Sequence, residues 1–157
     1  MKSLIIYASL SFAAGCFGGL LNSLVVWLFG QIGITSALGV AIAPPLTSSW
    51  LYQRLVWGGI WGALFLLPLM SQRPVVRGLI YSFGPTAIQL FLIFPYVAGK
   101  GIMGLDLGSL TPLLVIFFNA VWGIAASFWM RWAGCQGSSE SFNCKPQAIC
   151  QQALAHN

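Results

Sequence analysis

The sequence predicts an all-α fold, a polytopic integral membrane protein with about four transmembrane helices. Three observations predict it: 58% of the 157 residues are hydrophobic, only 6% are charged, and long stretches contain no charged residue. Soluble domains carry roughly 25% charged residues, and at this size they bury only about two-thirds of their surface. A water-soluble fold would therefore expose much apolar surface, whereas a lipid bilayer accommodates it.

The first transmembrane helix is expected near residues 4–29. Thirteen of these residues are Leu, Ile, Val or Phe, and each such side chain contributes about −0.3 to −0.6 kcal/mol to insertion at the bilayer centre. Gly30 and Gly33 then interrupt the apolar pattern. The segment Ala13-Ala14-Gly15-Cys16 resembles a bacterial lipoprotein cleavage site, but the apolar run continues past it. A membrane span is therefore favoured over a cleaved signal.

The second helix is expected near residues 49–70. Ser48 and Ser49 are suitable N-cap residues, and Trp50 and Tyr52 are typical of the membrane–water interface. This helix contains one cation near its start, Arg54. We expect its side chain to snorkel to the headgroups, with an anionic headgroup or Asp106 as alternative partners.

The third and fourth helices are expected near residues 78–98 and 111–132. Pro85 and Pro95 predict kinks in the third helix. Thr111 is a candidate N-cap for the fourth helix, with a proline following in the first turn. The residues after this helix, 133–157, are polar and predict a disordered C-terminal tail.

Residues 31–48 fit three interpretations: a fifth span, a re-entrant segment or an interfacial loop. The distribution of cations favours a segment that does not span. With four helices, five cations share one side and two the other, whereas a fifth span gives four against three. The positive-inside rule then places both termini in the cytoplasm, and the arrangement resembles small inner-membrane proteins of bacteria. The group of five is Lys2, Arg73, Arg77, Arg131 and Lys145, and the group of two is Arg54 and Lys100.

Ionisable residues inside the predicted spans are scarce, which bears on the class of function. The spans contain no Asp, Glu, His or Lys, and the two acids of the chain, Asp106 and Glu140, lie in a loop and in the tail. Proton relays depend on such groups within the bundle, and hydrolytic sites need an acid, a base or a metal ligand. We therefore expect no enzyme, no proton-coupled pump and no cofactor. The net charge of +5 is scattered along the chain, so no nucleic-acid partner is expected either.

Two sets of residues are candidates for the bundle interior. Asn22, Gln89 and Asn119 are the main polar residues of the spans, and they predict either interhelical hydrogen bonds or a polar pocket. The second set consists of glycines at GxxxG spacing, which allows helices to approach closely. It comprises Gly15 and Gly19 on the first helix and Gly58 and Gly62 on the second. Packing within one chain is preferred over self-association as the role of these glycines.

The tail contains three cysteines and a histidine with the spacing C-x8-C-x5-C-x5-H, formed by Cys135, Cys144, Cys150 and His156. The first three resemble the CCCH zinc-finger family, which implies zinc and often RNA. The chain departs from that pattern in the last interval, which is three residues long in the family. Three thiols and an imidazole could form a tetrahedral zinc site, but we favour a reduced cytoplasmic tail without metal.

Two functions are consistent with the sequence. The first is a non-enzymatic bundle that acts by association, as an accessory or assembly subunit of a larger membrane complex or as a homo-oligomer. The second is a small transporter or channel for a neutral or anionic solute. The polar interior residues, the prolines at positions 68, 85 and 95 and a broken segment at membrane depth are typical of the second.

Overall fold

The computed structural model describes residues 2–67, 69, 72–133, 135–137 and 142–144. Five α-helices account for most of this part, and after the last helix two three-residue strands, β1 (Cys135–Gly137) and β2 (Phe142–Cys144), pair in antiparallel fashion. The helices are α1 (Lys2–Gln31), α2 (Ile34–Ala37), α3 (Ser48–Trp61), α4 (Pro74–Ile88) and α5 (Thr111–Trp132). Helix α3 continues as a 3₁₀ turn (Gly62–Leu66), α4 continues as a π-helical segment (Gln89–Val97), and a further 3₁₀ segment (Ile102–Leu107) precedes α5.

Three helical segments are long and apolar enough to cross a membrane: Leu4–Gln31, Pro74–Val97 and Thr111–Trp132. They correspond to the first, third and fourth of the predicted spans. The described part of the chain is thus predominantly helical, as predicted from its composition. The predicted second span corresponds to α3 and its 3₁₀ turn.

Helix α4 begins at Pro74, four residues before the expected start at residue 78. Proline suits the first turn of a helix, because its φ is already helical and its missing N–H has no partner to lose there. Arg77 therefore lies inside α4 and is buried, whereas the sequence placed it in the preceding loop. At the other end of this helix, Pro95 lies within the π-helical segment, since a proline ring clashes with the carbonyl four residues earlier in a regular α-helix.

The helix caps differ in detail from the expectation. The N-cap of α3 is Thr47 rather than Ser48 or Ser49, and its hydroxyl accepts a hydrogen bond from the amide of Trp50 (3.3 Å). Thr111 is the first residue of α5 rather than its cap. At α3 the boundary moved by one or two residues, because the neighbouring Thr47, Ser48 and Ser49 satisfy the same capping preference; at α5 the N-cap is Leu110, which makes no side-chain cap.

The segment between α1 and α3 contains no helix long enough to span a membrane. Its only helix, α2, has four residues, and the backbone from residue 40 to 47 is irregular. Val40 is buried against Val26 of α1 and Phe118 of α5, and the amide of Ala41 donates to the carbonyl of Leu107 (2.8 Å). The segment thus folds over one end of the helix bundle.

The helices pack in the order α3, α1, α5, α4. Helix α1 packs along both α3 and α5, and α5 packs along α4, while α3 and α4 make few direct contacts. Two buried apolar clusters lie at opposite ends of the bundle. Around Val40, apolar side chains fill the end where α1 finishes; at the opposite end, a larger buried cluster comprises Tyr7, Ala14, Phe65, Tyr81, Trp122, Ala126 and Met130. Consequently a cleft remains between α3 and α4, and α1 and α5 form its floor.

Close backbone contact between α1 and α3 depends on glycine. A methyl group on Gly58 would lie 2.6 Å from the carbonyl oxygen of Gly15, and one on Gly19 would lie 2.8 Å from the carbonyl oxygen of Arg54. Gly62 also packs against Gly15. The four glycines singled out from the sequence therefore lie in one intramolecular helix contact, at which no side chain larger than hydrogen fits.

Candidate binding cleft

The cleft between α3 and α4 contains two adjoining cavities of about 320 and 560 Å³. Both are lined by Asn22, Trp50, Arg54 and Gln89. The first extends along α3 towards Trp122 in the middle of the bundle, and the second extends towards the connection between the π-helical segment and α5. All four helices of the bundle contribute to the lining, so the cleft exists only in the folded chain.

Arg54 is the one cationic side chain that lines both cavities. Its Nε donates to the hydroxyl of Ser23 (3.0 Å) and its Nη2 to the amide oxygen of Asn22 (2.5 Å). The guanidinium also lies 4.9 Å from the ring centroid of Trp50. The side chain is therefore turned towards α1 and is not paired with Asp106, while the expected snorkelling to the headgroups stays a prediction. Helix α1 offers two hydrogen-bond acceptors within reach, which favours this orientation.

The two acceptors of Arg54 are themselves held in place. The amide nitrogen of Asn22 donates to the carbonyl of Phe118 on α5 (2.8 Å), so the amide oxygen faces Arg54. The hydroxyl of Ser23 donates to the carbonyl of Gly19 (2.6 Å), which leaves its lone pairs for Arg54. Three helices are thus connected through this network, and the guanidinium is fixed from one side.

Gln89 and Asn119 line the deeper part of the cleft. The amide nitrogen of Asn119 donates to the amide oxygen of Gln89 at 3.3 Å, a long hydrogen bond. Gln89 is the first residue of the π-helical segment, and such segments occur often at functional sites. The three polar residues singled out from the sequence, Asn22, Gln89 and Asn119, therefore converge on one cavity. These are the polar side chains that the sequence predicted for the bundle interior.

The cleft is positively charged. In the part of the chain that the structure describes, Asp106 is the only acidic side chain, and it is exposed and does not line either cavity. Lys100 lines the second cavity at its outer end. The hydrogen-bond acceptors of Arg54 are both neutral, and its Nη1 has no hydrogen bond to a described residue. The guanidinium can therefore still bind an anion.

A second buried cation, Arg77, was not anticipated from the sequence. It is 3% exposed, and its Nη2 donates to the carbonyl of Phe65 (2.8 Å) and the hydroxyl of Tyr7 (3.2 Å). The rings of Phe65 and Tyr81 lie 5.1 and 5.5 Å from its guanidinium carbon. It lies in the cluster at the closed end of the bundle and stabilises the end of the 3₁₀ turn. Pro74 was the sequence signal that could have placed Arg77 inside α4, because proline favours the first turn of a helix.

The predicted tail site falls largely outside the described residues. Cys135 and Cys144 are directly opposite each other in the β1–β2 pair, while Cys150 and His156 lie beyond the residues that the structure describes. Among the residues described, no group of three His, Cys, Asp or Glu lies close enough to hold a metal ion. The metal prediction for the tail stays a prediction.

The polar groups that line the cleft are few. Its polar lining offers one guanidinium and neutral amides, and no acid, base or thiol lines either cavity apart from Lys100 at one end. In comparisons with known proteins, no family model, no curated protein and no solved structure matches this chain. Function must therefore be argued from the geometry of the cleft itself.

Proposed function

We propose that the chain is a small four-span membrane protein that binds an anionic solute in the cleft between α3 and α4 and carries it across the membrane. The observation that supports this most directly is the position of Arg54. It lines both cavities, its partners are neutral, and one of its nitrogens has no hydrogen bond to a described residue. Neither an enzymatic reaction nor a cofactor is part of the proposal.

The length of α3 supports a fourth span. Its 14 α-helical residues and the five residues of its 3₁₀ turn extend about 31 Å at about 1.5 and 2.0 Å per residue, close to the roughly 30 Å of hydrocarbon. With four spans, the positive-inside rule places both termini in the cytoplasm. The outer end of the cleft, where Lys100 lies, then faces the opposite side of the membrane. Such a topology is that of a bacterial inner-membrane protein.

Electrostatics favour an anion over a neutral solute. A guanidinium in an apolar environment is costly unless it is paired, and the amide and hydroxyl oxygens around Arg54 compensate only part of its charge. A hydrogen bond between a guanidinium and an anionic group contributes about 1.5–3 kcal/mol. Lys100 at the outer end of the second cavity would attract the same ligands.

The shape of the cleft favours a carrier over an open channel. The large cluster around Phe65 and Trp122 fills the bundle at the end where α1 begins and α5 ends, which closes the cleft on that side. Transporters commonly have a binding site near the middle of the membrane, next to interrupted helices, that is open to one side at a time. Here the helix is continuous, but Pro85 and the change to π-helical geometry at Gln89 provide a local departure from the regular α-helix.

The proposal can be tested by ligand-induced stabilisation of the purified chain in mild detergent. Probes of both charges, inorganic phosphate, laurate and dodecyl phosphate against choline and dodecyltrimethylammonium, would be compared at equal ionic strength. At 100 times its Kd, a ligand stabilises the folded state by about 2.7 kcal/mol. We expect stabilisation by at least one anion and by neither cation. The Arg54→Gln variant should lose this effect, whereas Arg131→Gln, which changes an exposed cation outside the cleft, should retain it. Equal stabilisation by cations and anions would contradict the proposal.

Transport is tested separately by flux into liposomes that contain the reconstituted chain. The anion that stabilises the protein should accumulate faster in these liposomes than in those with the Arg54→Gln variant. If the anion binds but no flux is measured, the chain is a receptor or a binding subunit rather than a carrier.

An accessory or assembly subunit, or a homo-oligomer, is the second candidate function. It is favoured by the few contacts between α3 and α4, because a helix of another membrane protein could pack between them. The GxxxG glycines give it no support, since they are used in the contact between α1 and α3. Mass measurement of the detergent-solubilised complex separates the two candidates: a carrier of this kind can function as one chain, whereas an accessory subunit should be purified with a stoichiometric partner.

A further inference from the structure

We infer that the ligand of the cleft is an amphiphilic anion with one alkyl chain, which enters sideways from the lipid between α3 and α4. This inference rests on the proposed function, because it assigns the anion bound at Arg54 to a chemical class. Three features of the cleft carry it: an apolar lining next to a single cationic group, an opening towards lipid, and a linear order of these groups along α3.

The lining is much more apolar than a site for a small hydrated anion requires. Four tryptophans line the first cavity, and the facing wall from α4 and the π-helical segment is formed largely by proline and isoleucine. Inorganic anions are bound by convergent charges and N–H groups, and the apolar faces of these indole rings would contribute nothing to such a ligand. An alkyl chain gains about 0.8 kcal/mol for each CH₂ group that it buries. The tryptophans are Trp50, Trp57, Trp61 and Trp122.

The cleft is open at the side of the bundle. Trp57 on α3 is 57% exposed, and Ile93 on the facing π-helical segment is 37% exposed. Both line the first cavity, and few contacts join the two helices that bear them. In a bilayer these side chains border acyl chains rather than water, so an amphiphile reaches the cleft without leaving the lipid phase.

The order of groups along α3 matches the orientation of a lipid-like molecule. Arg54, Trp57, Gly58 and Trp61 line the cavity, and their spacing of three and four residues places them on one face of the helix. Arg54 is six residues after the start of α3, about 9 Å along its axis, and is therefore nearer to the headgroups than Trp61 in the proposed topology. Trp61 lies about 10 Å further along. The charged head would thus be bound at Arg54, with the chain beside the tryptophans.

The size of the cavity favours one chain. A volume of about 320 Å³ is at the lower limit of sites for drug-sized ligands, about 300–1,000 Å³. A phospholipid with two acyl chains is several times larger than this first cavity, which contains the tryptophans, whereas the second cavity of about 560 Å³ lies on the side of Lys100. A single-chain phosphate or carboxylate fits both the volume and the charge.

The test uses the full chain in nanodiscs of phosphatidylcholine, a lipid with no net charge, and follows tryptophan fluorescence. The probe is dodecyl phosphate with a terminal bromine atom, which quenches indole fluorescence on contact. The matched control probe is brominated dodecyltrimethylammonium, with the same chain and the opposite charge. We expect saturable quenching by the phosphate, with half-saturation at a concentration at least tenfold lower than for the ammonium compound. Equal, non-saturable quenching by both probes would show partition into lipid alone and would overturn the inference.

Variants separate recognition of the head from recognition of the chain. Arg54→Gln should raise the half-saturation concentration of the brominated phosphate at least tenfold, and Arg131→Gln should leave it unchanged. Trp57→Ala changes an exposed side chain, so the fold should tolerate it, and it should weaken the amphiphile several-fold without changing the affinity for inorganic phosphate. An unchanged amphiphile affinity in Trp57→Ala would contradict the placement of the chain.

Competition with inorganic phosphate distinguishes failure of this inference from failure of the proposed function. We expect inorganic phosphate to displace the brominated probe only at a concentration at least a hundredfold higher. Displacement at equal concentration would mean that the cleft recognises the free anion. That result would contradict the inference of an amphiphilic ligand but would support the proposed anion site at Arg54. Absence of saturable binding by either phosphate, together with no stabilisation by any anion, would overturn both.

Discussion

Replacing Gly58 by alanine should disrupt the contact between α1 and α3. The added methyl group would lie 2.6 Å from the carbonyl oxygen of Gly15 and 3.1 Å from the Cα of Gly19. Both are backbone atoms, so no side-chain rotation relieves the overlap. To restore ordinary van der Waals distance, the two helices must separate by several tenths of an ångström along this contact.

The expected cost follows from two opposing effects. Overpacking of a close-packed contact costs about 1–3 kcal/mol, whereas replacing glycine by alanine inside a helix stabilises it by about 0.5–1 kcal/mol. The net expectation for Gly58→Ala is destabilisation by up to about 2.5 kcal/mol, with about 1 kcal/mol at the centre of the range. Because Arg54 lies one turn away on α3, separation of the helices should also lengthen its hydrogen bond to Asn22 (2.5 Å). The variant should therefore bind anions more weakly as well.

The assay is reversible unfolding in mixed micelles with increasing dodecyl sulfate, followed by circular dichroism. Gly84→Ala is the matched control, since its added methyl group would meet only the ends of Trp61 and Leu64, at 3.2 Å. That variant should be neutral or more stable by up to about 1 kcal/mol. If Gly58→Ala were as stable as Gly84→Ala, the close approach of α1 and α3 would be refuted.

Three further predictions concern other parts of the molecule. Arg77→Met should lower the free energy of unfolding by about 1–3 kcal/mol, because it leaves buried acceptors without a donor. Its control, Arg73→Gln, changes an exposed cation and should alter the free energy of unfolding by less than about 0.5 kcal/mol. Equal effects of the two variants in the same unfolding assay would contradict the buried position of Arg77. A reporter enzyme fused after Asn157 should be active in the cytoplasm, and an external signal would reverse the proposed topology. Metal analysis of the purified chain at neutral pH should find no stoichiometric zinc, and a one-to-one complex would contradict the prediction that residues 133–157 bind no metal.

Much of the helical architecture could be predicted because lipid imposes simple requirements on a chain. Within a bilayer every backbone polar group needs an internal partner, so long stretches without charge indicate helices. The predicted helix at residues 111–132 coincides with α5 (Thr111–Trp132). Boundaries set by local caps were less predictable, as at Thr47. The break of α3 into a 3₁₀ turn at Gly62 and its end before the extended Leu67 have signals in the sequence, because glycine weakens a helix interior and Pro68 disfavours helical backbone in the residue before it.

The candidate site was predictable in its residues but not in its geometry. The stretches without charged residues predicted that Asn22, Gln89 and Asn119 lie within spans, yet such stretches do not indicate which helices are neighbours. The order α3, α1, α5, α4 depends on where glycines allow close approach. Glycine pairs occur between α1 and α3 and between Gly78 on α4 and Gly123 on α5, where an added methyl group on Gly78 would lie 2.5 Å from the carbonyl oxygen of Gly123. These two contacts leave α3 and α4 apart, and the cleft follows from their separation.

The two inward-facing arginines show why the surroundings of a charge, rather than its presence, indicate a binding site. Neither has a carboxylate partner among the described residues. Arg77 is surrounded by backbone carbonyls, a tyrosine hydroxyl and two aromatic rings, and it does not line either cavity. Its Nη2 donates to these oxygens, whereas its Nε is buried without a hydrogen-bond partner among the described residues. Arg54 is held on one side by Asn22 and Ser23 and faces open space on the other. A fixed cation that lines a cavity is accessible to an anion, and for this reason we propose binding at Arg54 and a structural role for Arg77.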